Sequence, residues 1–146
     1  VSPEMVLVPL LSGDIPCGTP TERLEDFIER LQPIPRDFLE MASGTEGLRL
    51  YFIRARGDSM LEAGIIPGSL VLFSPDIEAH SGDIAVLEVD QEGLTIKQVF
   101  FRGNTVVLQP KNTRYEPRIL EAQEVRIHGK VLFVLSYLNH LRHVQG

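Results

Sequence analysis

One cysteine in 146 residues excludes an internal disulfide framework and any four-cysteine zinc site. That scarcity fits a cytoplasmic home. No apolar run approaches the ~20 residues that span a bilayer. The opening run Val6-Leu7-Val8-Pro9-Leu10-Leu11 is too short for that and lacks the basic flank of a signal peptide. Positive charge is also in short supply, with 14 Lys and Arg against 20 Asp and Glu and a net charge of −6. There is no Lys/Arg block, no zinc-finger spacing and no convincing helix-turn-helix, so this segment is not expected to bind nucleic acid directly. Any role in DNA metabolism would run through protein partners. Of the four histidines, only His140 and His143 could share a helix face. Two ligands without a third are a poor metal site, so no metal and no cofactor are expected.

What is present describes an ordinary globular domain. Hydrophobic residues make up 43% and charged residues 23%, enough for one domain with a buried core. Residues 1–20 hold Pro3, Pro9, Pro16 and Pro20, and proline removes a backbone donor while biasing its predecessor to extended geometry. This stretch reads as an extended N-terminal arm rather than a core element, with the folded domain over 21–146. Within 21–31, Leu24, Phe27, Ile28 and Leu31 have helical spacing, and Thr19-Pro20-x-Glu22 has the form of a capping box. Pro33 and Pro35 are expected to end whatever element lies there. Arg36 to Met41 reads as a short helical turn.

From Leu48 onward the pattern is β. Leu48 to Arg56 is apolar and aromatic, and Ile66-Pro67-Gly68-Ser69 predicts a type II turn leading into Leu70 to Phe73. Asp83 to Val89 and Leu94 to Phe101 are joined by Asp90-Gln91-Glu92-Gly93, a hairpin signal. Thr105 to Leu108 and Val125 to Tyr137 supply further strands. Such a series of short strands with little helix predicts a folded-over antiparallel sheet or small barrel.

Gly57-Asp58-Ser59-Met60 stands out at the end of the Leu48 run. A strand that stops at glycine and delivers a serine to a short helical turn can present a nucleophile. The unpaired N–H groups that open the turn, those of Ser59 and Met60, can hold an oxyanion. Ser59-x-x-Glu62 is equally a capping box, in which the hydroxyl caps the turn. A serine nucleophile needs a base, and none of the histidines sits in a triad motif. His80, His128, His140 and His143 all read as exposed structural residues. Lys97 lies in the run Leu94 to Phe101, which is apolar on both faces. Burial there would favour the neutral amine, which can accept a proton. The alternative is an edge lysine pointing to water.

The order Cys17-Gly18, then Gly57-Asp58-Ser59-Met60, then Thr95-Ile96-Lys97 resembles the LexA/UmuD family of self-cleaving serine peptidases. The likeness extends over Gly64-Ile65-Ile66-Pro67-Gly68, Gly82-Asp83-Ile84-Ala85-Val86 and Leu108-Gln109-Pro110-Lys111-Asn112. It implies a Ser59/Lys97 dyad, a scissile bond between Cys17 and Gly18 carried on the arm, and a β-strand over Leu24 to Leu31, which is preferred to the helix. Cys17 could otherwise be a chance thiol, but a small residue beside glycine in an extended arm suits the substrate role better. The Cys-Gly pair is closest in layout to UmuD, an accessory subunit for error-prone translesion synthesis. The resemblance further implies a homodimer, stimulation by a RecA filament and a Y-family polymerase partner. The run Val131 to Tyr137 is the candidate dimer strand. The interval from Cys17 to Ser59 is longer than UmuD leads one to expect. A LexA-type repressor would carry a helix-turn-helix domain before the arm, and the chain begins at Val1. The C-terminal domain of a LexA-like or phage-type repressor therefore stays open as the alternative.

Overall fold

Segments rich in β-branched and aromatic residues, separated by glycine and proline turns, favour strands. The computed structural model, which describes residues 4–42 and 44–136, is mostly β. Its strands are β1 (Met5–Leu11), β2 (Ile28–Pro35), β3 (Tyr51–Arg54), β4 (Leu70–Ser74), β5 (Ile84–Val89), β6 (Gly93–Arg102), β7 (Thr105–Gln109), β8 (Arg118–Glu121) and β9 (Val125–Leu135). One short helix, α1 (Arg36–Glu40), follows β2. The strands form a single sheet in the order β2-β1-β3-β4-β9-β5-β6-β7-β8. Its neighbours run antiparallel except β1 and β3, which touch in parallel at Leu10 and Phe52.

β9 joins the two halves of the sheet. Its end pairs with β4, from Lys130 to Leu135, and its beginning pairs with β5, from Val125 to Lys130. Val86 faces Gly129 while the next residue, Leu87, faces Ile127, so His128 is the extra residue of a β-bulge. At Gly129 the strand passes so close to Ser74 that an added Cβ would overlap the Ser74 carbonyl. Glycine is the only residue that permits this approach.

Ile53, Val71 and Phe73 from the first half share one apolar cluster with Val86 and Ile96 from the second. The sheet is therefore folded over on itself, as the pattern of short strands predicts. A second cluster, including Val8, Phe52 and Leu72, lies in the first half, and a third, including Leu87, Val99 and Leu108, in the second.

Several local expectations need correction. Residues 5–11 are extended, but they are not a separate arm. Val8, Leu10 and Leu11 are fully buried, and β1 pairs along its length with β2. Residues 21–31 divide between the two readings: Thr21–Phe27 is a 3-10 helix and Ile28 begins β2. The supposed capping box at 19–22 is not formed, because Thr19 Oγ1 donates to the Pro16 carbonyl instead. Pro33 does not end the strand, since β2 is the sheet's edge, where a missing donor costs no ladder bond, and the strand ends at Pro35 as expected. The type II turn forms as expected, with Ser69 N–H donating to the Ile66 carbonyl at 3.0 Å and Gly68 at φ +92°.

Candidate active site

β3 ends at Arg54, and Gly57 takes φ +67°, a left-handed turn natural for glycine. This turn delivers Ser59 to the entrance of a 3-10 helix over Leu61–Ala63. The helix has no side-chain cap, and Glu62 accepts instead from Thr113 N–H at 2.9 Å. The capping-box reading of Ser59 is therefore excluded. Among the described residues, neither the Ser59 hydroxyl nor the N–H groups of Ser59 and Met60 make a hydrogen bond. A free hydroxyl beside two free amides can attack a carbonyl and hold the resulting oxyanion.

A loop after β7 fixes this turn. Buried Asn112 donates from Nδ2 to the Asp58 carbonyl at 2.7 Å, while its Oδ1 accepts from Arg114 N–H at 3.0 Å. Tyr115 donates its hydroxyl proton to the Asp58 carboxylate, and Glu62 N–H donates to the Lys111 carbonyl at 2.7 Å. Met60, almost fully buried, lines the cleft, and its sulfur accepts from Lys111 N–H at 3.4 Å.

That cleft, about 490 Å³, is lined by Ser59 and also by Cys17. The segment around Cys17 is thus docked against the serine's own cavity. Cys17 Sγ lies over Gly93, and Gly18 adopts φ +88°, a conformation glycine takes without strain. Gly18 N–H donates to Glu88 Oε2 at 2.6 Å, and Arg126 Nη1 donates to the Gly18 and Thr19 carbonyls at 3.2 and 3.1 Å.

Lys97 lines an adjoining cleft of about 250 Å³, together with Arg118 and Pro110. Glu92, Gly93, Leu94 and Thr95 line both clefts. Lys97 Nζ donates to Thr95 Oγ1 at 2.7 Å and has no hydrogen bond to Ser59. Burial lowers the Lys97 pKa from that of a free lysine, and the Arg118 charge lowers it further. Lys97 is therefore a half-buried amine rather than an edge lysine pointing to water.

The sequence reading missed Glu88 and misjudged His128. Glu88 is 6% exposed inside β5, and His128 is 1% exposed in the bulge of β9. His128 Nδ1 is hydrogen-bonded to Thr21 Oγ1 at 2.8 Å. Its Nε2 is buried without a hydrogen-bond partner among the described residues, 3.9 Å from Glu88 Oε1. Burial lowers the His128 pKa, against the opposing pull of Glu88. A bulge breaks strand alternation, so face counting cannot locate His128. The available signals were an acid and an imidazole set within two apolar runs. His80 is exposed, as read. His140, His143 and Tyr137 lie outside the described residues. No group of three metal-ligating side chains occurs among the described residues, and no described helix is long and apolar enough to cross a membrane.

Fold and site together describe a folded-over β domain that sets a free serine beside a segment of its own chain and a desolvated lysine one cleft away. The peptidase S24-like family matches residues 9–132, and the chain belongs to that family. It is 35% identical over 123 residues to a LexA repressor of Gluconacetobacter diazotrophicus, covering 84% of this chain and 46% of that protein. It is 36% identical over 129 residues to a LexA repressor of Desulforamulus reducens, covering 88% of this chain and 55% of that protein. The chain thus spans about half the length of these relatives.

Proposed function

We propose that this domain cuts its own Cys17–Gly18 bond with Ser59 as nucleophile and Lys97 as base. The observation that carries the reading is the docking of Cys17 in the cleft that Ser59 lines. The lowered Lys97 pKa supports the choice of base, because only a neutral amine accepts a proton. Catalysis requires the four-carbon stem of Lys97 to swing its amine from Thr95 to Ser59. Neutral Lys97 then takes the Ser59 proton as Oγ attacks the Cys17 carbonyl, and the amides of Ser59 and Met60 hold the oxyanion. The protonated lysine returns its proton to the departing Gly18 amine, and water releases the acyl group. The functional division follows the same line, with the N-terminal residues to about 20 as substrate and the remainder as peptidase.

Two settings suit this reaction. A UmuD-like protein would be activated by cleavage as an accessory to a Y-family polymerase. The similarity to two LexA repressors, each about twice as long as the matched region, favours equally the C-terminal domain of a transcriptional repressor. A helix-turn-helix upstream in the full reading frame decides for the repressor. In either setting the protein is a cytoplasmic homodimer whose cleavage a RecA filament stimulates. β9 contributes to the dimer through Val131 to Leu135, which pair with β4 and are partly buried against the core.

Mass spectrometry of the purified protein before and after incubation tests the chemistry. Wild type should yield a new N-terminus at Gly18, and Ser59→Ala and Lys97→Ala should stay intact. A cut elsewhere, or cleavage of Ser59→Ala at the wild-type rate, would overturn the assignment.

A further inference from the structure

The mechanism above leaves unused a buried acid that touches the reacting bond. Glu88 projects from β5, a strand otherwise apolar over Ile84–Val89, and is 6% exposed. An ionised carboxylate in such a place needs partners. Its Oε2 accepts the Gly18 N–H at 2.6 Å, a short charge-assisted bond reaching across 70 residues of sequence. Gly18 N is the nitrogen that leaves when the Cys17–Gly18 bond is cut.

From this geometry we infer that Glu88 is a positioning residue for self-cleavage, orienting the scissile peptide by holding its N–H. The inference rests on Cys17–Gly18 being the bond that is cut. A trans peptide places its N–H and C=O on opposite sides of one plane, and the described residues contain no cis peptide. Fixing the N–H on Glu88 therefore fixes the Cys17 carbonyl on the side away from it, and the attacking oxygen meets one face of a stationary carbonyl. An unfixed peptide at a glycine rotates freely, and near-attack alignment is a large part of the barrier in such reactions.

The surrounding groups complete a clamp. Arg126 Nη1 donates to the carbonyls of Gly18 and Thr19, gripping the chain just after the bond. His128 approaches Glu88 Oε1 to 3.9 Å through its unpartnered Nε2, and its other nitrogen is tied to Thr21 Oγ1. The bulge of β9 thus turns an imidazole toward the acid from one side while the arm covers it from the other. The remaining charged neighbour of this imidazole is Glu22, which lies on the 3-10 helix after the arm. Three residues of the leaving side, Gly18, Thr19 and Thr21, are thereby tied to β5 and β9. The nucleophile's turn is held separately, by the loop carrying Asn112.

The test compares Glu88→Ala and Glu88→Gln with wild type in two assays. The first follows cleavage by mass spectrometry; the second follows labelling of Ser59 by a small fluorophosphonate, which needs the nucleophile but not a docked arm. Loss of a hydrogen bond to a charged acceptor predicts that Glu88→Ala cleaves about 10- to 100-fold more slowly. Its Ser59 labelling should match or exceed wild type. Glu88→Gln, whose side-chain oxygen can still accept the N–H, should recover most of the rate. Wild-type cleavage by Glu88→Ala overturns the inference. So does a parallel fall in Ser59 labelling, which would mark a merely structural role, or a Glu88→Gln protein as slow as Glu88→Ala. If wild type itself does not cut at Gly18, the underlying reading fails instead, and the control shows it.

Discussion

If Lys97 is the base, the pH dependence of cleavage should follow its neutral fraction. A free lysine near pKa 10.4 is only about 0.04% neutral at pH 7. Each unit by which the folded protein lowers that pKa multiplies the active fraction about tenfold. The structure supplies two reasons for a lowering, burial of the amine first and the Arg118 charge second. The logarithm of the cleavage rate should therefore rise with a slope near one per pH unit and level off below the free-lysine value. The same shift has a consequence for stability. Above the ordinary lysine pKa the amine is neutral both folded and unfolded, and its burial costs nothing extra. As pH falls from there toward the folded pKa, the unfolded chain takes up the proton first, and stability declines. Lys97→Met should accordingly abolish cleavage while raising the urea midpoint at pH 7.5, opposite signs from one substitution. The assays are single-turnover cleavage from pH 6 to 10.5 and equilibrium unfolding. A flat profile, a midpoint at or above that of free lysine, or full activity in Lys97→Arg would refute the reasoning, since a guanidinium stays protonated throughout.

Other perturbations separate the parts of the site. Gly18→Ala places a Cβ in open space but at φ +88°, so its cost is conformational, roughly 1–2 kcal/mol, and cleavage should slow about 5- to 30-fold in a time course read by gel. Asn112→Ala removes the donor that pins the Asp58 carbonyl and should cost about 1–3 kcal/mol in denaturant titrations, with reduced fluorophosphonate labelling of Ser59. His128 has a pKa lowered by burial, so it contributes a stability that is complete above about pH 6.5 and falls as pH drops toward its folded value. Urea midpoints at pH 7.5 and 5.5 should show this loss, and His128→Gln should reduce it. Gly129→Ala forces a methyl group into the Ser74 carbonyl and should lower stability by about 3 kcal/mol or more, read as a lower melting temperature.

What the sequence made legible was local chemistry with a strong signature. Proline and glycine marked the turn at 66–69, the hairpin between β5 and β6 announced itself through Asp90 to Gly93, and a serine after Gly57 stood at a strand end. The misses share a cause in the sheet's long-range order. Pro33 breaks a strand only where its N–H would be needed, and nothing local says that β2 is an edge. β8, over Arg118–Glu121, has an exposed alternation too short to read, and its pairing with β7 is what makes it a strand. His128 and Glu88 are adjacent only because β9 carries a bulge beside β5, and a bulge shifts every later side chain relative to a simple count.

The folding over of the sheet also explains why the candidate site divides as it does. Ser59 follows β3, in the first half, whereas Lys97 on β6, Glu88 on β5, and Arg126 and His128 on β9 belong to the second. The chain passes from β1 in the first half to Cys17 and Gly18 at the second, so the segment crosses the seam between Ser59 and Lys97. Neither half alone contains a complete site. A perturbation of the seam, such as a side chain at Gly129, should then depress cleavage even where each group keeps its own local contacts. A perturbation of one clamp residue should slow the reaction and leave the serine reactive. Those two patterns differ in whether Ser59 labelling and cleavage fall together, and that difference distinguishes failure of the scaffold from failure to present the peptide.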